Sequence, residues 1–186
     1  MTTNTLEHHW MPFTANRDFK ADPRILVAAK GMHYTNHHGE RVIDASSGLF
    51  CCAAGHGRKE IADAVAAQLM ELDYSPPFQY GSAPAFELAR RVAALTPGTL
   101  NRVFFTNSGS ESIDTALKIA MAWHTARGEG HRDKYISRER AYHGVNIGGT
   151  SLSGLMKNRE VFGAVMPGVA HLRHTWLDEN RFSRGQ

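Results

Sequence analysis

The sequence predicts an α/β fold with a mainly parallel sheet covered by helices, and three observations carry that expectation. Apolar residues recur at helical spacing over residues 58–72, 84–95 and 110–127. Short strand-like runs at 103–105 and 134–137 alternate with the later helices, giving the order α-β-α-β. The run at 103–105 stops abruptly in the polar loop Thr106-Asn107-Ser108-Gly109-Ser110-Glu111-Ser112 and passes straight into a helix.

Residues 1–30 read as an irregular arm ending in a helical or extended piece. Residues 31–44 read as a hairpin with strands at 32–35 and 41–43, turning at Asn36-His37-His38-Gly39. In the helix at 58–72, Ile61, Ala64, Val65, Leu69 and Leu72 share one side, and Pro76-Pro77 breaks the chain after it. Pro84 suits the first turn of the next helix, and Pro97-Gly98 closes it. In the third helix Ile113, Ala116, Leu117, Ala120 and Met121 form an apolar face, which ends at Gly128 and Gly130.

The junction before that helix is the most informative stretch. Ser108 and Glu111 have the S-x-x-E spacing of a capping box, which starts a helix there. The free N–H groups of a helix N-terminus, and its dipole, favour an anion. Gly109 lets the backbone approach closely, and Ser108 and Ser110 add hydroxyl donors, so the site suits a phosphate. On spacing alone the same junction also serves as a plain cap, common in α/β proteins. Neither a Walker loop nor a G-x-G-x-x-G fingerprint is present. In parallel sheets ligands bind at the carboxyl ends of strands, where both Phe105-Thr106 and the loop carrying Tyr142 are expected.

These residues carry a resemblance. Phe105-Thr106-Asn107-Ser108-Gly109-Ser110-Glu111 with Ala116-Leu117-Lys118-Ile119-Ala120, followed by Tyr142-His143-Gly144, resembles the phosphate cup of class III aminotransferases. Trp10-Met11-Pro12-Phe13-Thr14, Asp44-Ala45-Ser46-Ser47-Gly48-Leu49, Gly55-His56-Gly57, Tyr74-Ser75-Pro76, Phe78-Gln79-Tyr80-Gly81 and the tail Asn180-Arg181-Phe182-Ser183-Arg184-Gly185-Gln186 are similar to the β-alanine/ω-amino acid:pyruvate branch. The likeness runs over essentially the whole chain.

The resemblance implies the fold type I architecture. Residues 1–75 would be an N-terminal arm and part of the small domain, and residues 76–186 the first, incomplete part of the large cofactor domain. It implies pyridoxal 5'-phosphate as cofactor, held by Ser108, Gly109, Ser110, Tyr142 and His143, with Tyr142 stacked on the ring. Substrate selection would use Phe50, Phe78 and Val145, with Phe13 a further candidate. The branch often has Trp where Phe50 stands, leaving more room here, and the common family form has Ala where Ser112 stands. The implied reaction moves an amino group from β-alanine or another ω-amino acid or amine to pyruvate.

Family chains are more than twice as long, so the sequence reads as an N-terminal fragment. None of Lys20, Lys30, Lys59, Lys118, Lys134 and Lys157 has a context like the family's Schiff-base segment, which is expected beyond Gln186. No catalytic residue is therefore assigned within the chain. A truncated non-catalytic chain, or a fold type I relative with aminomutase or decarboxylase chemistry, is the alternative. The expected partners are the amino donor, pyruvate and a second subunit of a homodimer.

Composition excludes several other classes. At 42% hydrophobic and 21% charged residues the chain is of ordinary globular make-up. It has neither an apolar run long enough to span a bilayer nor a signal-like start. The net charge of +3 is spread among acids, as in Arg138-Glu139-Arg140, which does not make a nucleic-acid surface. Adjacent Cys51 and Cys52, in an apolar context, read as buried free thiols of a cytoplasmic protein. His8-His9 and His37-His38 are neighbours without a chelating spacing, and His171 and His174 stand at i,i+3 with no evident third ligand, so no metal site is expected.

Overall fold

A computed structural model describes residues 6–163 and 165–178. The tail motif at 180–186 lies outside the described residues. The chain divides into two units, residues 1–86 and 87–186.

The first unit is built on a three-stranded antiparallel sheet. Helix α1 (Asn16–Ala21) precedes β1 (Leu26–Lys30), β2 (His33–Asn36) and β3 (Arg41–Ile43), which pair in that order. The expected hairpin is β2 and β3. Asn36 shapes its turn, its Oδ1 accepting from the N–H groups of His38 and Glu40 at 3.0 and 2.9 Å. The arm before it supplies β1, with an irregularity between Leu26 and Ala28. A single bridge, Gly31 to His56, ties the following segment back to the sheet. Helix α2 (Lys59–Glu71) comes next, and α3 (Ala83–Leu95) crosses from one unit into the other. Ile61, Val65 and Leu69 line one side of α2, as the periodicity requires, and all three are exposed.

In the second unit α4 (Gly109–Ala126) is followed by β4 (Tyr135–Arg138), α5 (Ile147–Leu152), α6 (Met156–Arg159), a 3-10 turn (Glu160–Phe162) and β5 (Val169–Leu172). β4 and β5 pair in parallel, Tyr135 beside Val169 through Arg138 beside Leu172. The intervening helices form the crossover that a parallel pair requires. The centre of this unit is α5, where Gly148, Gly149, Thr150, Ser151 and Leu152 are all buried. Glycine makes that packing possible. A Cβ on Gly148 would stand 2.7 Å from Leu117 Cδ1 of α4, and one on Gly149 would stand 2.4 Å from the His143 carbonyl oxygen.

Two expectations need correction. Residues 103–105 are irregular, not a strand. A strand exists only when a neighbour completes its hydrogen-bond ladder, and none among the described residues pairs there. Cys51 is exposed and Cys52 half-buried, both as free thiols. The turn that carries them lies at the surface, so their apolar neighbours do not enclose them.

Candidate functional site

Ser108 is the N-cap of α4, in extended conformation, and its Oγ accepts from the Glu111 N–H at 3.2 Å. The reciprocal half of the box is shifted by one residue. Glu111 Oε2 accepts from the Asn107 N–H at 2.9 Å and the Asn107 side-chain amide at 3.3 Å. The loop is stitched a second time by hydroxyls. Thr106 Oγ1 and Ser112 Oγ are 2.6 Å apart, and both reach the Ser108 carbonyl, at 3.0 and 3.1 Å. Ser112 is thus part of the cup, a role the sequence did not suggest.

What this stitching leaves over is the binding capacity. Among the described residues, neither the Gly109 nor the Ser110 N–H donates to a protein acceptor. Nothing lies within 4 Å of where a Cβ on Gly109 would stand, so its face of the cup is open. Two free N–H groups, an open face and the positive end of an 18-residue helix fit a phosphate dianion.

The loop after β4 docks on the cup. Ser110 Oγ accepts from the Val145 N–H at 3.0 Å, which leaves its own proton for a ligand. Thr150 Oγ1 donates to the Val145 carbonyl at 3.3 Å, and Asp114 Oδ1 accepts from the Gly149 N–H at 3.2 Å. Gly144 lies directly against α4. At φ 104° it adopts a backbone that favours glycine, and a Cβ there would stand 2.6 Å from Ser110 Oγ and 2.8 Å from Ser110 Cα. The loop packs this closely on Ser110 because Gly144 has no side chain.

His143 is engaged from beneath. Its Nε2 lies 3.1 Å from Ser137 Oγ, and that hydroxyl donates its one proton to the Leu152 carbonyl at 2.6 Å. Ser137 can therefore only accept from the ring, which assigns the Nε2–H tautomer to His143. Tyr142, one residue earlier, is exposed.

The structure thus gathers Ser108, Gly109, Ser110 and Val145 in one place, with Tyr142 and His143 on the same docked loop. Phe13, Phe50 and Phe78 belong to the first unit, and all three are exposed. Phe13 and Phe50 have φ of 49° and 71°, an unusual backbone for phenylalanine. Among the described residues, no group of His, Cys, Asp and Glu could hold a metal ion, and no helix is long and apolar enough to cross a membrane.

Comparison with known proteins bears on the whole chain. The family model for class-III aminotransferases matches residues 14–183. The omega-amino acid–pyruvate aminotransferase of Pseudomonas putida is 54% identical over 97% of this chain, and the omega-aminotransferase of Caulobacter vibrioides 52% over 98%. Among solved structures, a thermostable (S)-enantioselective omega-transaminase from Thermomicrobium roseum matches with a TM-score of 0.90 and 36% identity, over 98% of this chain and 41% of its own. The chain spans about 40% of the length of the relatives it matches.

Proposed function

The chain belongs to the class-III aminotransferases, and on that premise we propose that its protein is an ω-amino acid:pyruvate aminotransferase whose pyridoxal-phosphate phosphate seats on the N-terminus of α4. The unpartnered N–H groups of Gly109 and Ser110, beside the docked loop, are the observation that carries this reading. When bound, pyridoxal phosphate supplies the electron sink for amino transfer.

The residues of this chain hold it and orient it. Hydrogen bonds to a charged acceptor contribute roughly 1.5–3 kcal/mol each, against roughly 0.3–1 kcal/mol for the helix dipole. Directed donors at Gly109 and Ser110 therefore do most of the anchoring. Tyr142 would stack on the cofactor's ring, and His143 steadies the loop through Ser137. Phe50, Phe78, Val145 and Phe13 are the residues assigned to selection of the amine. Residues 1–75 belong with the small domain and 76–186 with the cofactor domain. A second copy of the protein in the cytoplasm completes a dimer.

The test is a cofactor titration of the full-length protein, followed by β-alanine-dependent conversion of pyruvate to alanine. Saturable cofactor binding and alanine formation are expected. Absence of alanine across a panel of ω-amino acids and amines would refute the proposal.

A further inference from the structure

A second built feature lies in the first unit, at residues 44–56. Four consecutive residues, Ser47, Gly48, Leu49 and Phe50, have φ of 51°, 57°, 54° and 71°. Together they make about one turn of left-handed helix, in which the Phe50 N–H donates to the Ser46 carbonyl at 2.9 Å and the Cys52 N–H to the Ser47 carbonyl at 2.8 Å. Left-handed helix drives each Cβ toward the following carbonyl, so L-residues enter it singly and not in runs. Three of these four residues carry a Cβ. A left-handed turn of this composition persists only where its surroundings over-determine it.

Asp44 supplies that determination. Its Oδ1 accepts from the Gly48 N–H at 3.0 Å, the Ser46 N–H at 3.2 Å and the Ser46 hydroxyl at 3.3 Å. Its Oδ2 stands 2.8 Å from His56 Nε2, with the Asp44 side chain 4% exposed and the His56 side chain 11%. The Tyr34 ring meets the His56 ring, tilted, with centroids 4.6 Å apart. The Tyr34 hydroxyl also lies 3.3 Å from where a Cβ on Gly48 would stand, closing the turn from that side. His56 is in turn fixed to the sheet by two backbone hydrogen bonds with Gly31, at 2.8 and 3.0 Å. The far side of the turn presents Leu49 and Phe50, the latter 87% exposed.

We propose that Asp44 is a positioning residue for amine recognition: by clamping the left-handed turn at 47–50 it fixes how that turn presents the Phe50 side chain. The inference rests on the reading of Phe50 as a pocket residue. Asp44 touches neither substrate nor cofactor and acts only through the turn.

The experiment uses the full-length holoenzyme and the variants Asp44→Ala, Ser47→Gly and the double variant. The readouts are KM and kcat for a short ω-amino acid and for a bulky aryl amine, the cofactor Kd, and Tm. Asp44→Ala is expected to raise KM for the preferred donor about tenfold and to change the ratio between the two donors, as about 1.4 kcal/mol of lost positioning would do. The cofactor Kd stays within about twofold, since the cup is built from other residues. Ser47→Gly in the double variant restores part of the loss, because glycine takes the left-handed backbone without a Cβ clash. An unchanged donor ratio in Asp44→Ala, or no restoration by glycine, overturns the inference while leaving the proposed function standing. A wild-type holoenzyme that forms no alanine overturns both. Should Asp44→Ala not fold, Ser47→Gly alone decides: a Tm at or above wild type supports the strained turn, and a drop of ~4 °C or more overturns it.

Discussion

The cup at the start of α4 and the turn at 47–50 solve opposite problems with the same chemistry. In both, backbone N–H groups converge on a small space. At the turn the chain fills that space with its own anion, Asp44, whose oxygens take the Ser46 and Gly48 N–H groups. At the cup the chain's own carboxylate, Glu111, is turned to the Asn107 N–H, and the Gly109 and Ser110 N–H groups stay open. An internal carboxylate makes a rigid element that presents side chains. Unfilled donors make a receptor. The difference between scaffold and site here is whether the protein sets its own negative charge on those N–H groups.

The sharpest way to break this contrast is Gly144→Ala. The added methyl meets Ser110 at 2.6–2.8 Å, with φ already at 104°. Overpacking and backbone strain together cost about 3 kcal/mol, so cofactor affinity should fall on the order of 100-fold in a titration of the full-length protein. Affinity within about twofold of wild type would show that the loop is not part of the receptor. Asp44→Ala is the reverse experiment. It should lower Tm while leaving cofactor affinity nearly unchanged, and a matching loss of affinity would merge the two regions into one.

Within the cup, Ser108→Ala removes the cap and should cost about 1 kcal/mol of stability. Gly109→Val should leave stability within about 0.5 kcal/mol, since nothing lies within 4 Å of its Cβ direction. Even so, it should weaken the cofactor more than Ser108→Ala does, by filling the open face. Equal losses of affinity would contradict the reading of that face as the phosphate's place.

The smallest effect is the acid limb of stability. The Gly48 N–H first, then His56, holds the Asp44 carboxyl down at about 2, below its ordinary 3.8. A depressed carboxylate stabilises the fold fully above the unfolded value. That contribution is lost as pH falls from near 4 to about 2. Glu87, held at about 2 by Arg90 and Arg91 on α3, titrates in the same window. Its partners are exposed, so salt should erase the Glu87 share and spare that of Asp44. Denaturation curves of Asp44→Asn and Glu87→Gln between pH 5 and 2, at low and high salt, separate them.

The three long helices were legible because a repeating apolar face survives local exceptions. Helix α4 falls one residue from its expected bounds at each end. Strand β1 was not, since Leu26-Val27-Ala28-Ala29-Lys30 suits either period. Helix α5 contains two glycines and a β-branched threonine, poor helix formers. Packing against α4 and the loop after β4 makes it helical. The cup's cap and its candidate ligands could be named from spacing, but the roles of Ser112 and Gly144 could not, because each depends on a neighbour distant in sequence or hidden in the loop's path. The left-handed turn left almost no trace. Gly48 is its only glycine, and Asp44 reads in sequence as an ordinary acid before a turn.

The contact between Gly144 and Ser110 has a consequence for motion. The seam joins bare backbone on the loop to the Cα and side chain of Ser110 on α4, and the Ser110 hydroxyl is held there by the Val145 N–H. The loop that carries Tyr142 is therefore coupled to the first turn of α4 through that hydroxyl, and α5 is coupled to α4 through Asp114 and the Gly149 N–H. A displacement of the loop is expected to break both of these hydrogen bonds, so the Tyr142 ring and the Ser110 hydroxyl shift as a unit.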